Sequence, residues 1–109
     1  MTSSAPLLAA VIGGSNMDIV GVTNATLVHA DSQTGKVTMS AGGVARNIAE
    51  NLVRLGMKPT LCSVMGQDDH GRALWPPNDS IGIDMSASAI LPIARSSVYM
   101  TVHDVNGEL

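Results

Sequence analysis

The sequence predicts an α/β fold, and three observations carry that expectation. An apolar run, Leu7 to Ile12, ends in Gly13-Gly14. An amphipathic segment from about Val44 to Leu55 follows a second glycine pair, Gly42-Gly43. A further apolar run, Thr60 to Met65, is closed by Gly66. Strand, helix and strand in that order make a βαβ unit, which requires a parallel pair and a right-handed crossover.

Each element follows from local chemistry. Leu7 to Ile12 reads as a buried first strand; no basic residue precedes it, and the run is too short to span a bilayer. Ile19 to Ser40 is rich in Val, Thr, Gly and Asn and lacks a helical period. It reads as short strands with a turn near Thr34-Gly35. In the helix, Ala45, Ile48, Ala49, Leu52 and Val53 recur at the spacing of one buried face. Glu50 stands four residues before Arg54, the favourable order for an ion pair. Gly56 suits the position just past the helix end, and Pro59 follows where a helix should stop. Asp68-Asp69-His70-Gly71 reads as a capped start of a second helix, which Pro76-Pro77 is expected to cut short. Ser97 to His103 alternates like a half-buried strand and runs into Asp104-Val105-Asn106-Gly107, a hairpin turn signal. The return strand has almost no residues left, so the chain is expected to be a piece of a longer protein.

Composition narrows the function. The 109 residues suffice for one domain with a modest core. Apolar residues make up 45%, with one Trp, one Tyr and no Phe, so aliphatic side chains and the seven Met must fill the core. The lack of aromatic platforms and a net charge of −3 argue against a nucleic-acid partner. The lone Cys62 reads as a buried, reduced thiol in a cytoplasmic protein. His29, His70, His103 and Cys62 lack metal-ligand spacing, so no metal site is expected. No P-loop, G-x-S-x-G or G-x-G-x-x-G run is present.

The glycine pair at Gly42-Gly43 is the strongest functional signal. Glycine lets a ligand approach the backbone, and the helix that follows offers unpaired N–H groups. Other signals have plainer explanations. Arg46 reads as a surface partner of Glu50, Asn51 as a helix-surface residue, and Asp68 and Asp69 as caps rather than a metal pair.

Five stretches, taken in order, resemble the N-terminal third of the ribokinase-like (PfkB) sugar and nucleoside kinases. They are Gly13-Gly14-Ser15-Asn16-Met17-Asp18, Ala41 to Ala49, Leu55-Gly56, Gly66 to Gly71, and Gly82-Ile83-Asp84. The run Gly42 to Leu52 is most similar to the pseudouridine-kinase-like branch. The resemblance implies a partial three-layer α/β/α sheet with a small β lid, formed by segments of about 19–40 and 94–109. It implies that Asn16, Asp18, Gly42, Gly43 and Asn47 bind a sugar or nucleoside, with Asp18 accepting from sugar hydroxyls. It further implies ATP and Mg²⁺ as cofactors, no membrane partner, and a homodimer through the lid strands. The family's second signature, which carries the catalytic base, is absent from this chain, so no catalytic residue is expected within it. A contrasting reading is a non-catalytic, truncated module that binds a ligand or self-associates through its strands.

Overall fold

The computed structural model describes residues 7–107. Its elements are β1 (Leu8–Ile12), β2 (Asn16–Thr23), β3 (Gly35–Gly42), α1 (Val44–Arg54), β4 (Lys58–Cys62), β5 (Val64–Gly66), α2 (Asp69–Ser80), β6 (Ala89–Leu91) and β7 (Val98–His103). The expected α/β class holds. β1 and β4 pair in parallel, with Val11 beside Leu61, and α1 connects them through the βαβ unit. A short parallel pair, β5 and β6, and a bridge from Thr60 to Asp84 extend this body.

A second sheet stands apart in the order β3-β2-β7. β2 runs antiparallel to β3 and parallel to β7. The core lies mostly within the α/β body, where Ala45, Ala49, Leu61, Met65, Leu74, Ile83 and Met85 are buried; the second sheet adds the buried Met17, and Val11, Ile19, Ala41, Val53 and Trp75 pack against them.

Several sequence expectations need correction. β1 is buried on one side only; Leu8 and Ile12 are 79% and 82% exposed, because α1 covers only the side bearing Val11. On α1, Ala45 and Ala49 are buried but Ile48 is exposed, since small residues sit at the closest approach to the sheet. Thr60 to Met65 is two strands, not one. Ser63 interrupts it: its N–H bonds Ser88 Oγ and its carbonyl takes the Ala89 N–H, as the chain exchanges β1 for β6. The turn between β2 and β3 is not at Thr34-Gly35. A loop over 24–34 joins them, closed by the Asn24 N–H to Thr34 carbonyl bond, and Gly35 opens β3. Cys62 is half-buried, and Met39 and Met100 lie exposed outside the core. The Asp104–Gly107 turn forms as expected, closed by Gly107 N–H to Asp104 carbonyl; Glu108 and Leu109 lie outside the described residues.

The largest correction concerns α2, which passes through Pro76 and Pro77 for 12 residues. An interior proline removes a backbone donor and crowds the preceding turn. Three contacts hold the helix in spite of this. Asp68 caps its start, Leu74 is fully buried, and the fully buried Asn78 side chain bonds Arg46 and Ser15. Tertiary anchors on both sides of the proline pair override the local preference. Pro76→Ala is therefore expected to stabilise the protein by about 1–3 kcal/mol, read as a higher urea midpoint; an unchanged or lower midpoint contradicts the stated cost.

Candidate functional site

The two glycine-bearing turns of the sequence converge. Gly13 and Gly14 lead β1 into β2, where Asn16 and Asp18 sit; Gly42 ends β3 and Gly43 is the N-cap of α1, where Asn47 sits. Pairing of β2 with β3 places Asn16 opposite Gly42 and Asp18 opposite Ser40. The Arg46 N–H donates to the Gly14 carbonyl and the Asn47 N–H to the Gly43 carbonyl, which ties the helix start to the first turn. All five residues expected to form the site are thus gathered at one place.

Two glycines are required there by geometry. A Cβ on Gly42 would collide with the Asp18 carboxylate, so the bare Cα lets that carboxylate lie against β3. Gly43 has φ +100, a conformation other residues rarely adopt, and a Cβ would press on the Gly14 carbonyl and Asn16 Oδ1.

The side chains are oriented by their neighbours. Asn16 Nδ2 donates to Asp18 Oδ1 at 2.6 Å. Arg46, only 8% exposed, is not the surface residue the sequence suggested, although it does pair with Glu50. Its Nε donates to Asn78 Oδ1 at 3.0 Å, Nη1 to Asn47 Oδ1 at 3.2 Å, and Nη2 lies 2.8 Å from Glu50 Oε1. Arg46 foremost, with Arg54 added, holds the Glu50 carboxyl below its ordinary range against an opposing desolvation. Asn78 Nδ2 completes the chain by donating to Ser15 Oγ at 3.3 Å. Asn51 is exposed, as expected.

Period-two geometry adds residues that the motifs did not single out. Side chains directly opposite in paired strands share a face. Asp18 therefore shares one with Val20 on β2, Thr38 and Ser40 on β3, and Tyr99 and Thr101 on β7. Asp18, Val20, Tyr99 and Thr101 line a shallow cavity of about 130 Å³. The alternation of Ser97 to His103 signalled a strand, but only its register against β2 brings Tyr99 beside Asp18. A larger cavity of about 440 Å³ lies beneath loop 24–34, lined by Leu27, Asp31, Lys36 and Val102 among others; none of the five expected residues lines it. Among the described residues, no three of His, Cys, Asp and Glu gather where a metal ion could be held.

Asp68 acts as a cap and a tether. It accepts from Gly71 N at 2.8 Å, from Ser96 N at 2.7 Å and from Ser96 Oγ at 2.7 Å. Ser96 precedes β7, so Asp68 fastens α2 to the foot of that strand.

An α/β body carrying a three-stranded β appendage, with a glycine-lined site where they join, is the ribokinase-like fold. The model of the pfkB family carbohydrate kinases matches residues 7–109. The chain belongs to this family, and it corresponds to the N-terminal part of the kinase domain. It is 37% identical over 99 residues to a pseudouridine kinase of Escherichia coli K12, covering 91% of this chain and 32% of that protein. A carbohydrate kinase from Agrobacterium tumefaciens shares the fold with a TM-score of 0.86 and 24% identity, over 94% of this chain and 33% of that one. A ribokinase from Cryptococcus neoformans, solved in complex with ADP, superposes with a TM-score of 0.75 at 19% identity, over 95% and 33% of the two chains. The chain spans about a third of the length of these relatives. None of its described helices is long and apolar enough to cross a membrane.

The bonds around Asp68 set a pH dependence. The Ser96 N–H first, then the Gly71 N–H and the Ser96 hydroxyl, lower its pKa from 3.8 to about 2. The folded-state value is depressed, so this contribution is present above the ordinary carboxylate range and is lost as pH falls toward 2. Asp68→Asn is expected to flatten the fall of the thermal midpoint between about pH 4 and pH 2; a variant as acid-sensitive as the parent contradicts this role.

Proposed function

We propose that this chain is the substrate-binding portion of an ATP-dependent kinase that phosphorylates a hydroxyl of a sugar or nucleoside. One observation carries the reading: Asp18 lies beside the Gly42-Gly43 helix opening with its carboxylate partly committed. Asn16 occupies Oδ1, which leaves Oδ2 to accept from a substrate hydroxyl. Asn16, Asp18, Gly42, Gly43 and Asn47 bind and orient that substrate. The three-stranded sheet over 16–23, 35–42 and 98–103 serves as a lid that keeps water from the reacting hydroxyl.

The family match and the pseudouridine kinase relative support a sugar-bearing substrate. The ADP held by the ribokinase neighbour supports nucleotide use. ATP and Mg²⁺ are cofactors of the complete kinase in this reading, and no residue of this chain is assigned to them. The catalytic base belongs to the part of the kinase fold that the relatives have beyond the matched stretch. We place the protein in the cytoplasm. The lid's other face carries exposed Val37, Met39, Met100 and Val102, and this apolar surface supports self-association through the lid strands.

The first test is phosphorylation of ribose and of nucleosides by the complete gene product and by its Asp18→Ala variant. A drop in kcat/KM of about a hundredfold or more is expected, the loss of a charge-assisted bond to substrate; an unchanged value overturns the role of Asp18. Tyr99 adds a ring on the same face. Tyr99→Ala is expected to raise KM for nucleosides about tenfold while leaving ribose nearly unaffected, as lost base stacking would. Equal effects on both would remove Tyr99 from base recognition.

A further inference from the structure

A nearly buried cation stands behind the candidate site, and the motif reading gives it no role. Arg46 has three guanidinium nitrogens, and each meets a different partner: Asn78, Asn47 and Glu50. The guanidinium only donates, so it must face oxygen. Its bond to Asn47 Oδ1 therefore fixes the polarity of that carboxamide. Asn47 is exposed, and the donor its side chain has left to offer is the Nδ2 amide.

The support for Arg46 is itself built in. Asn78 on α2 is fully buried, with Oδ1 taken by Arg46 and Nδ2 donating to Ser15 Oγ. Ser15, 2% exposed, lies in the turn immediately before Asn16. Arg46 also donates its backbone N–H to Gly14 in that same turn. Arg46 and Asn78 together thus join the turn that leads into the strand of Asp18 to the helix that carries Asn47.

We infer that Arg46, buttressed by Asn78, is a positioning residue that locks Asn47 as a hydrogen-bond donor toward the substrate. Resting on the substrate-binding reading above, this defines a paired recognition: Asp18 accepts from one substrate group while Asn47 donates to an oxygen acceptor. A vicinal diol, whose hydroxyls donate and accept, satisfies both. A substrate with only donors at the second position does not.

A double-mutant cycle tests the inference, with ribose and pseudouridine as probes and dissociation constants read by titration. Arg46→Gln and Asn47→Ala are each expected to weaken binding about tenfold or more, and the double variant is expected to bind no worse than Asn47→Ala alone. A role confined to folding would give additive losses, and additive losses overturn the inference. A second readout needs no variant: the Asn47 side-chain amide protons of the parent protein should shift when the probe is added, and stationary resonances overturn it. Asn47→Asp, which removes the donor at constant shape, should bind as poorly as Asn47→Ala; retained affinity overturns it too. Failure of the parent protein to bind either probe overturns the substrate-binding reading itself, whereas binding with an additive cycle overturns only the role of Arg46.

Discussion

A buried guanidinium allows no loose arrangement around it. Removing a positive charge from water is costly unless it is paired and hydrogen-bonded. Arg46 satisfies this with a carboxamide from α2, a carboxamide from its own helix and a carboxylate one turn later. Meeting that demand sets the distance between α1 and α2 and draws the Ser15 turn against both. The convergence of the two glycine-bearing turns depends on this cluster. So does the survival of α2, whose proline pair is bracketed by the cap at Asp68 and the anchor at Asn78. The atoms that neutralise this one charge also fix the Asn47 carboxamide and tie its helix to the turn before Asn16.

The three-stranded sheet divides its labour by strand parity. Odd positions of β2, with Met17 and Ile19, turn toward the core, and their neighbours Val37, Met39, Met100 and Val102 continue that apolar face into solvent. Even positions carry Asp18 and, across the register, Thr38, Ser40, Tyr99 and Thr101. A one-residue slip would exchange the two faces and move the carboxylate away from Gly42. The bare Cα of Gly42, against which that carboxylate rests, resists the slip, because any other residue in the same place would collide with Asp18.

Much of the body was legible in the residue pattern. The i, i+3, i+4, i+7, i+8 spacing of Ala45, Ile48, Ala49, Leu52 and Val53 marked α1, and Gly56 ended it with φ +85. The motif residues that the fold gathers at the candidate site were also legible, since glycine pairs and N-x-D runs are short and local. Three features were not. Arg46 looked like a surface residue because its partner Asn78 is 32 positions away. Tyr99 looked like one member of an alternating strand because its neighbour Asp18 is set by register alone. The run through Pro76-Pro77 looked broken because local propensity cannot weigh tertiary anchors.

By itself the sequence determined the α/β class, the parallel β1–β4 pair, the helix behind Gly42-Gly43 and the family to which these motifs belong. Those properties follow from periodicity and backbone freedom, which act over a few residues. The tertiary structure alone decided that Asp18 shares a face with Tyr99, that α2 continues through two prolines, and that Arg46 is buried between two asparagines. Each of these depends on groups far apart in the chain. Their contact is fixed by the register of paired strands and by the requirement that a charge removed from water be paired and hydrogen-bonded.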